Sequence, residues 1–118
     1  MKAQSLIVIV HVADVDASIK YYTEVLGFTV DFKFGDYAGL IYNNVQLHLN
    51  GPTNQGIKKA PGSAHFWIDC DEIDTYYEFI RSKGANVVVP LENRIYGVRD
   101  CAVNDPDGNT IVFGMGIE

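Results

Sequence analysis

Ser5-Leu6-Ile7-Val8-Ile9-Val10-His11-Val12-Ala13-Asp14-Val15-Asp16-Ala17-Ser18-Ile19-Lys20-Tyr21-Tyr22-Thr23-Glu24-Val25-Leu26-Gly27-Phe28 places a strand, a helix and a helix stop in one short run of chain. Ser5–His11 is dense in β-branched residues, which fit a pleated surface, and reads as a strand. Asp14 and Asp16 are N-cap candidates, because a short acidic side chain can take a free amide at the positive end of a helix. Behind them Ile19, Tyr22, Val25 and Leu26 fall at helical spacing and give one apolar stripe. Gly27 stops the helix, since glycine takes positive φ without steric cost. Three further strands follow, at Thr29–Phe34, Tyr37–Tyr42 and Val45–Leu49. The pairs Gly35-Asp36 and Asn43-Asn44 suit the hairpin turns between them.

Residues 51–63, with Gly51-Pro52, Gly56, Lys58-Lys59 and Pro61-Gly62, lack hydrophobic periodicity and read as a linker. Beyond them the order repeats. Ala64–Cys70 is a strand and Asp71–Lys83 a helix with Ile73, Tyr76, Tyr77 and Ile80 on its stripe. Gly84 ends that helix, and Asn86–Leu91, Gly97–Asn104 and Thr110–Phe113 are strands. The last two flank Asp105-Pro106-Asp107-Gly108, a turn with proline at its second position. A shift of 57 residues lays Gly27 on Gly84, Val30 on Val87 and Phe32 on Val89. The expected fold is therefore α+β: one domain over 1–118, with a βαβββ module at 1–50, a linker at 51–63 and a second module at 64–118. The helices cover the outer faces, and the remaining sheet faces form a curved cleft suited to a small molecule.

Composition narrows the function. The 118 residues are 47% hydrophobic and 20% charged, enough for a core without disulfide or metal staples. A net charge of −6 argues against a nucleic-acid partner. No apolar run approaches the ~20 residues of a membrane-spanning helix, and the N-terminus runs straight into a strand without a signal peptide. The expectation is a cytoplasmic protein with no membrane partner. Cys70 and Cys101, in no metal-type spacing, are expected as free thiols.

The segment Val12–Phe28 resembles the opening of the vicinal oxygen chelate superfamily, which includes glyoxalase I, bleomycin resistance proteins, fosfomycin resistance proteins and ring-cleaving dioxygenases. Tyr96-Gly97-Val98-Arg99-Asp100, followed by Asn104-Asp105-Pro106-Asp107-Gly108-Asn109, resembles its closing hairpin. The resemblance covers nearly the whole chain and implies paired βαβββ modules in a homodimer. In metal-dependent members four positions ligate a divalent ion, and the resemblance lays these on Ile7, His48, His65 and Val112. Neither Ile7 nor Val112 can ligate. Two imidazoles hold an ion weakly where three protein ligands are usual, and a carboxylate base is missing where Val112 stands.

The metal-free members most similar are the bleomycin resistance proteins, which sequester a bulky cationic glycopeptide at a dimer interface. Asp36-Tyr37-Ala38-Gly39-Leu40 follows their acidic–aromatic–Ala–Gly–apolar pattern, Tyr96-Gly97 their aromatic–Gly pair, and Trp67 lies on the strand where they carry a tryptophan. Aromatic faces hold flat and cationic groups by stacking and cation–π contact, and an acidic chain attracts cations. Strand alternation turns His65, Trp67 and Asp69 to the cleft with Phe66 and Ile68 opposite. It likewise turns His48 and Gln46 to the cleft, with Leu47 and Leu49 in the core. Candidate ligand-binding residues are thus Phe32, Phe34 and Tyr37 at one end, His48 and His65 in the middle, and Trp67, Tyr96 and Arg99. Each has a plainer reading: His48 and His65 as hydrogen-bonded cavity histidines, Trp67 as core, Arg99 as half of an ion pair. Tyr21, Tyr22, Tyr76 and Tyr77 fall on helices and read as packing. The expected function is metal-free, cofactor-free capture of a small molecule by a homodimer, of the antibiotic resistance kind. The alternatives are a lyase, isomerase or dioxygenase using His48 and His65 with Zn, Ni, Mn or Fe, and a subunit whose cleft is vestigial.

Overall fold

The computed structural model describes residues 1–117 and contains two four-stranded sheets, each with a helix on one face. The first module is β1 (Val8–His11), α1 (Val15–Lys20), β2 (Thr29–Lys33), β3 (Tyr37–Tyr42) and β4 (Val45–Asn50), in spatial order β1-β4-β3-β2. The second is β5 (His65–Asp69), α2 (Ile73–Ser82), β6 (Asn86–Asn93), β7 (Val98–Asn104) and β8 (Thr110–Gly116), in order β5-β8-β7-β6. The first strand of each module runs parallel to the last, and the other pairs are antiparallel hairpins. The α+β fold of two βαβββ modules is as the sequence pattern predicts.

Strand ends differ from expectation where edges are concerned. The β1–β4 ladder begins at Val8, so Ser5–Ile7 lie ahead of the strand. By contrast β8 runs on to Gly116, because Val98 and Arg99 continue to pair with it. Strand β6 passes through Pro90 to Asn93, which an edge strand allows, since its outward amides need no partner.

The two helices are not copies. Asp14 caps α1 and accepts from the Ala17 amide at 3.0 Å, as its sequence position predicts. The last turn of this helix then widens into a π-helical turn over Tyr21–Val25. Thirteen steps of chain lead from the Asp14 cap to Gly27, and twelve from the Glu72 cap to Gly84. The wider turn therefore accommodates one extra residue, as π turns do. Gly27 and Gly84 both sit at positive φ, at 87° and 91°.

The helix-covered faces of the two sheets join in one core, Val10, Leu40, Leu47 and Leu49 on one side and Cys101, Val103, Ile111 and Phe113 on the other. The seam between the modules is polar and specific. Asp105, buried in the β7–β8 turn, accepts from the amides of Asp107 and Asn109, both at 2.9 Å, and from Asn109 Nδ2 at 2.9 Å. It also accepts from the Tyr22 hydroxyl at 3.0 Å. Asn109 Nδ2 reaches across to the His11 carbonyl, and the Ala13 amide donates to the Asp107 carboxylate. The Tyr21 hydroxyl donates to the Asn104 carbonyl at 2.9 Å and that of Tyr76 to the Leu26 carbonyl at 2.6 Å. Burial, with Asp105 beside it, pushes the Tyr22 phenol far above its ordinary pKa, so the hydroxyl remains a donor. The helix tyrosines Tyr21, Tyr22 and Tyr76 thus serve packing and the seam.

Candidate functional site

The faces turned away from the helices carry the candidate site, and the strand registers organise each into a row. In the first module Ile9, His48, Gly39 and Phe32 stand side by side across β1, β4, β3 and β2. In the second, Trp67, Val112, Ala102 and Val89 do the same across β5, β8, β7 and β6. Each row depends on a bulge in its outermost strand, between Val30 and Phe32 and between Val87 and Val89. Without that irregularity, strict alternation from Val30, which faces Leu40 of the core side, would turn Phe32 away from the open face. The body measures 44 × 40 × 23 Å, and a sheet with one helix layer already fills about 20 Å. The open faces are therefore uncovered, with Ile9 50%, Phe32 39% and Trp67 45% exposed.

The first row is built as a small aromatic cluster. The Tyr37 hydroxyl and His48 Nδ1 are 2.7 Å apart. The Phe32 ring meets the His48 ring edge-on at 5.2 Å and lies nearly parallel to the Tyr37 ring at 6.3 Å. Gly39 makes room for it: a Cβ there would collide with the Phe32 ring. Partial burial raises the Tyr37 pKa, so its proton is retained. The pair bonded through Nδ1 leaves His48 Nε2 for a ligand.

The second row is apolar with one large ring. Trp67 lies over Gly114, where a Cβ would again collide with the ring. Beside it, Asp100 is buried on the open face and accepts from Arg94 Nε at 2.7 Å and from the Tyr96 hydroxyl at 3.4 Å. Arg94 also donates to Glu92 and to the Pro90 and Asp100 carbonyls, and the bond to Asp100 raises its pKa. Arg99 is held by Asp74 at 2.6 Å and by Asn93 at 3.0 Å. That bond keeps the Asp74 carboxyl below its usual range.

Of the eight candidate residues, the structure brings Phe32, Tyr37 and His48 into contact. Trp67 lies on the other sheet, Tyr96 in the turn between β6 and β7, and Arg99 is paired with the Asp74 carboxylate. Phe34 stands 84% exposed beyond the end of β2, and His65 is exposed at the start of β5. The facing of Phe66, Ile68, Leu47 and Leu49 toward the core matches strand alternation. The sequence reading passed over Ile9, Val89, Arg94 and Asp100. Alternation in β1 and β7 would have exposed two of them, but the bulges and the Arg94 bonds leave no local signal.

The metal positions follow the same internal symmetry. The register that matches Ile9 to Trp67 carries Ile7 onto His65, and the one that matches His48 to Val112 completes the set. On the positions the resemblance implies, each module thus has one imidazole and one aliphatic residue. Among the described residues no three His, Cys, Asp or Glu side chains are grouped to hold an ion. This donor set does not fit the family's metal. Cys70 and Cys101 are free thiols, and burial pushes Cys101 up to about 11.

Two βαβββ modules, each with one helix-packed face and one open face, joined along a polar seam, define the class: a paired-module α+β fold. The chain belongs to the glyoxalase/bleomycin resistance protein/dioxygenase superfamily, whose family model matches residues 6–113. Bleomycin resistance proteins of Geobacillus stearothermophilus and Staphylococcus aureus are 30% identical to it over 117 aligned positions, covering 86% of this chain and 89% of theirs. A putative lactoylglutathione lyase of Brassica oleracea var. gemmifera is 30% identical, covering 92% of this chain but 43% of the plant protein. Among solved structures, the bleomycin-binding protein from Streptomyces verticillus complexed with copper(II)-bleomycin superposes with a TM-score of 0.81 at 24% identity, over 98% of both chains.

Proposed function

We propose that this protein is a metal-free binding protein of the bleomycin resistance type, in which a second copy closes the open sheet faces into an aromatic-lined cleft. The observation that carries this reading is the pair of open rows: Phe32, Tyr37 and His48 on one sheet, Trp67 on the other, all on faces with large exposed apolar side chains. Exposed apolar patches of this kind mark interaction surfaces. The dimer would set the aromatic cluster of one chain against the Trp67 row of its partner. The ligand class is a bulky cation with flat heteroaromatic groups. Stacking and cation–π contact, each about 0.5–2 kcal/mol, provide affinity, and the chain's charge of −6, doubled in the dimer, speeds arrival. Capture is stoichiometric, and the protein acts in the cytoplasm. The likeness to bleomycin resistance proteins supports the reading, and the donor set lacking Ile7 and Val112 as ligands counts against a glyoxalase-type metal centre.

The test is titration of chelator-treated protein with metal-free bleomycin, read by Trp67 fluorescence, alongside sedimentation for the dimer. Saturable quenching at one ligand per cleft, weakened at least tenfold by Phe32→Ala, is expected. A monomer that leaves Trp67 unperturbed at millimolar bleomycin would overturn the proposal, as would roughly one tightly held divalent ion per chain.

A further inference from the structure

On the helix side of the sheets, away from the open rows, the seam between the modules contains a cavity of about 660 Å³. It lies between the β3–β4 turn at Asn43-Asn44 and the loop leading from β5 into α2. Its volume is within the range of small-molecule sites. Five rings line it, those of Phe28, Tyr42, Tyr76, Phe79 and Phe113. Tyr42 meets Tyr76 edge-on at 5.9 Å and 89°, and Phe79 lies 6.4 Å beyond Tyr76. Asp69, Asp71 and Glu72 are among its lining residues, Asp69 with its side chain on the Trp67 side of β5, and no lysine, arginine or histidine is among them.

These carboxylates are not consumed by the fold. Among the described residues none of the three takes part in an ion pair or a side-chain hydrogen bond, whereas Asp36, Asp74, Asp100 and Asp105 all do. Glu72 occupies the N-cap of α2 yet makes no capping bond, and it takes a left-handed backbone conformation at φ 46°. The other non-glycine residue at positive φ among those described, Asn43, lines the same cavity from the other module. Asparagine takes this conformation readily in a hairpin turn, whereas a glutamate there is uncommon. One of the lining rings already has an ammonium beside it, that of Lys83 at 5.8 Å from the Phe79 ring.

We infer that this cavity is a second binding site, for a small organic cation with a compact apolar body, such as a quaternary or aryl-alkyl ammonium. The rings take the cation by its π-faces, and the Asp71 and Glu72 carboxylates supply the counter-charge. An anion would meet those two carboxylates, with no basic residue among those lining the cavity. The site is distinct from the proposed cleft in its walls, since none of the residues of the two open rows is among those lining it.

The test uses benzyltrimethylammonium as probe, with benzoate and benzyl alcohol as charge controls. Binding is measured by calorimetry and located by protection of Cys70, which lines the cavity, from iodoacetamide, with modification read by mass spectrometry. Cys101, fully buried, serves as internal control. Saturable binding of the ammonium alone is expected, with slowed alkylation of Cys70. The Asp71→Asn/Glu72→Gln double variant, which changes charge and little volume at exposed positions, should weaken it about fivefold, and Phe79→Leu about threefold. No binding at millimolar probe overturns the inference. So does binding that leaves Cys70 unprotected, that is equal in the double variant, or that is reported by Trp67 quenching instead, which would place the cation in the cleft. Failure here leaves bleomycin capture at the open faces untouched, because that is read by Trp67 and Phe32→Ala.

Discussion

The two modules share a backbone and differ in what they present. Ile9–His48–Gly39–Phe32 and Trp67–Val112–Ala102–Val89 occupy corresponding places, each behind a bulge in its last-placed strand. In the first the heavy ring comes from the outermost strand and lies over a glycine of β3. In the second it comes from the opposite edge and lies over a glycine of β8. One face therefore carries a polar–aromatic cluster with a hydrogen-bonded imidazole. The other is an apolar shelf beside the Arg94–Asp100 pair. Two like faces would fit two copies of one group; two unlike faces suit a ligand with chemically different ends. The internal repeat is thus a device of architecture, and the two faces differ chemically where the repeat is broken.

The largest expected effect concerns what the two faces share. Asp105→Ala strips the seam of a carboxylate that four groups donate to, including the Tyr22 hydroxyl, and should lower stability by about 3 kcal/mol or more in denaturant unfolding. A midpoint that barely moves would mean that the faces hold their relation without this buried lock. Next come the two glycines that make room for the rings. Gly39→Ala and Gly114→Ala should each cost about 1–3 kcal/mol by forcing Phe32 or Trp67 aside. Only the second should shift Trp67 emission, and a shift in both would show the two faces to be coupled within one chain. Tyr37→Phe removes the hydroxyl bonded to His48 and should cost about 1 kcal/mol, with no counterpart in the second module, where Val112 stands at that place.

The smallest effect is electrostatic and belongs to the second module. The hydrogen bond from Arg99 holds the Asp74 pKa below 3.8. A carboxylate whose folded value is depressed stabilises the fold above that ordinary value and loses its contribution as the pH falls through the folded one. Melting temperature followed from pH 5 to pH 2 should therefore fall less steeply in Asp74→Asn than in the parent. Identical acid limbs would show that this exposed pair contributes nothing measurable.

Much of this was legible in order and spacing. Asp14 and Gly27 bracket a helix because capping is local chemistry, and Leu47, Leu49, Phe66 and Ile68 face inward because a strand alternates whatever surrounds it. That Ile7 and Val112 cannot ligate an ion was legible for the same reason, since a side chain without a lone pair cannot ligate in any fold. The neighbourhood of each residue was not. That Phe32 faces His48 depends on a bulge whose position is set by pairing with β3, and the extra residue of α1 disappears into a π turn that periodicity cannot register. The roles of Arg94 and Asp105, and the cavity at the seam, arise from groups brought together by packing between modules. Sequence by itself thus determined the elements, their order and the chemistry each strand could offer, because those follow from short-range sterics and hydrogen bonding. Tertiary structure alone decided which groups meet, because register, bulges and the seam are settled by contacts between residues far apart in the chain.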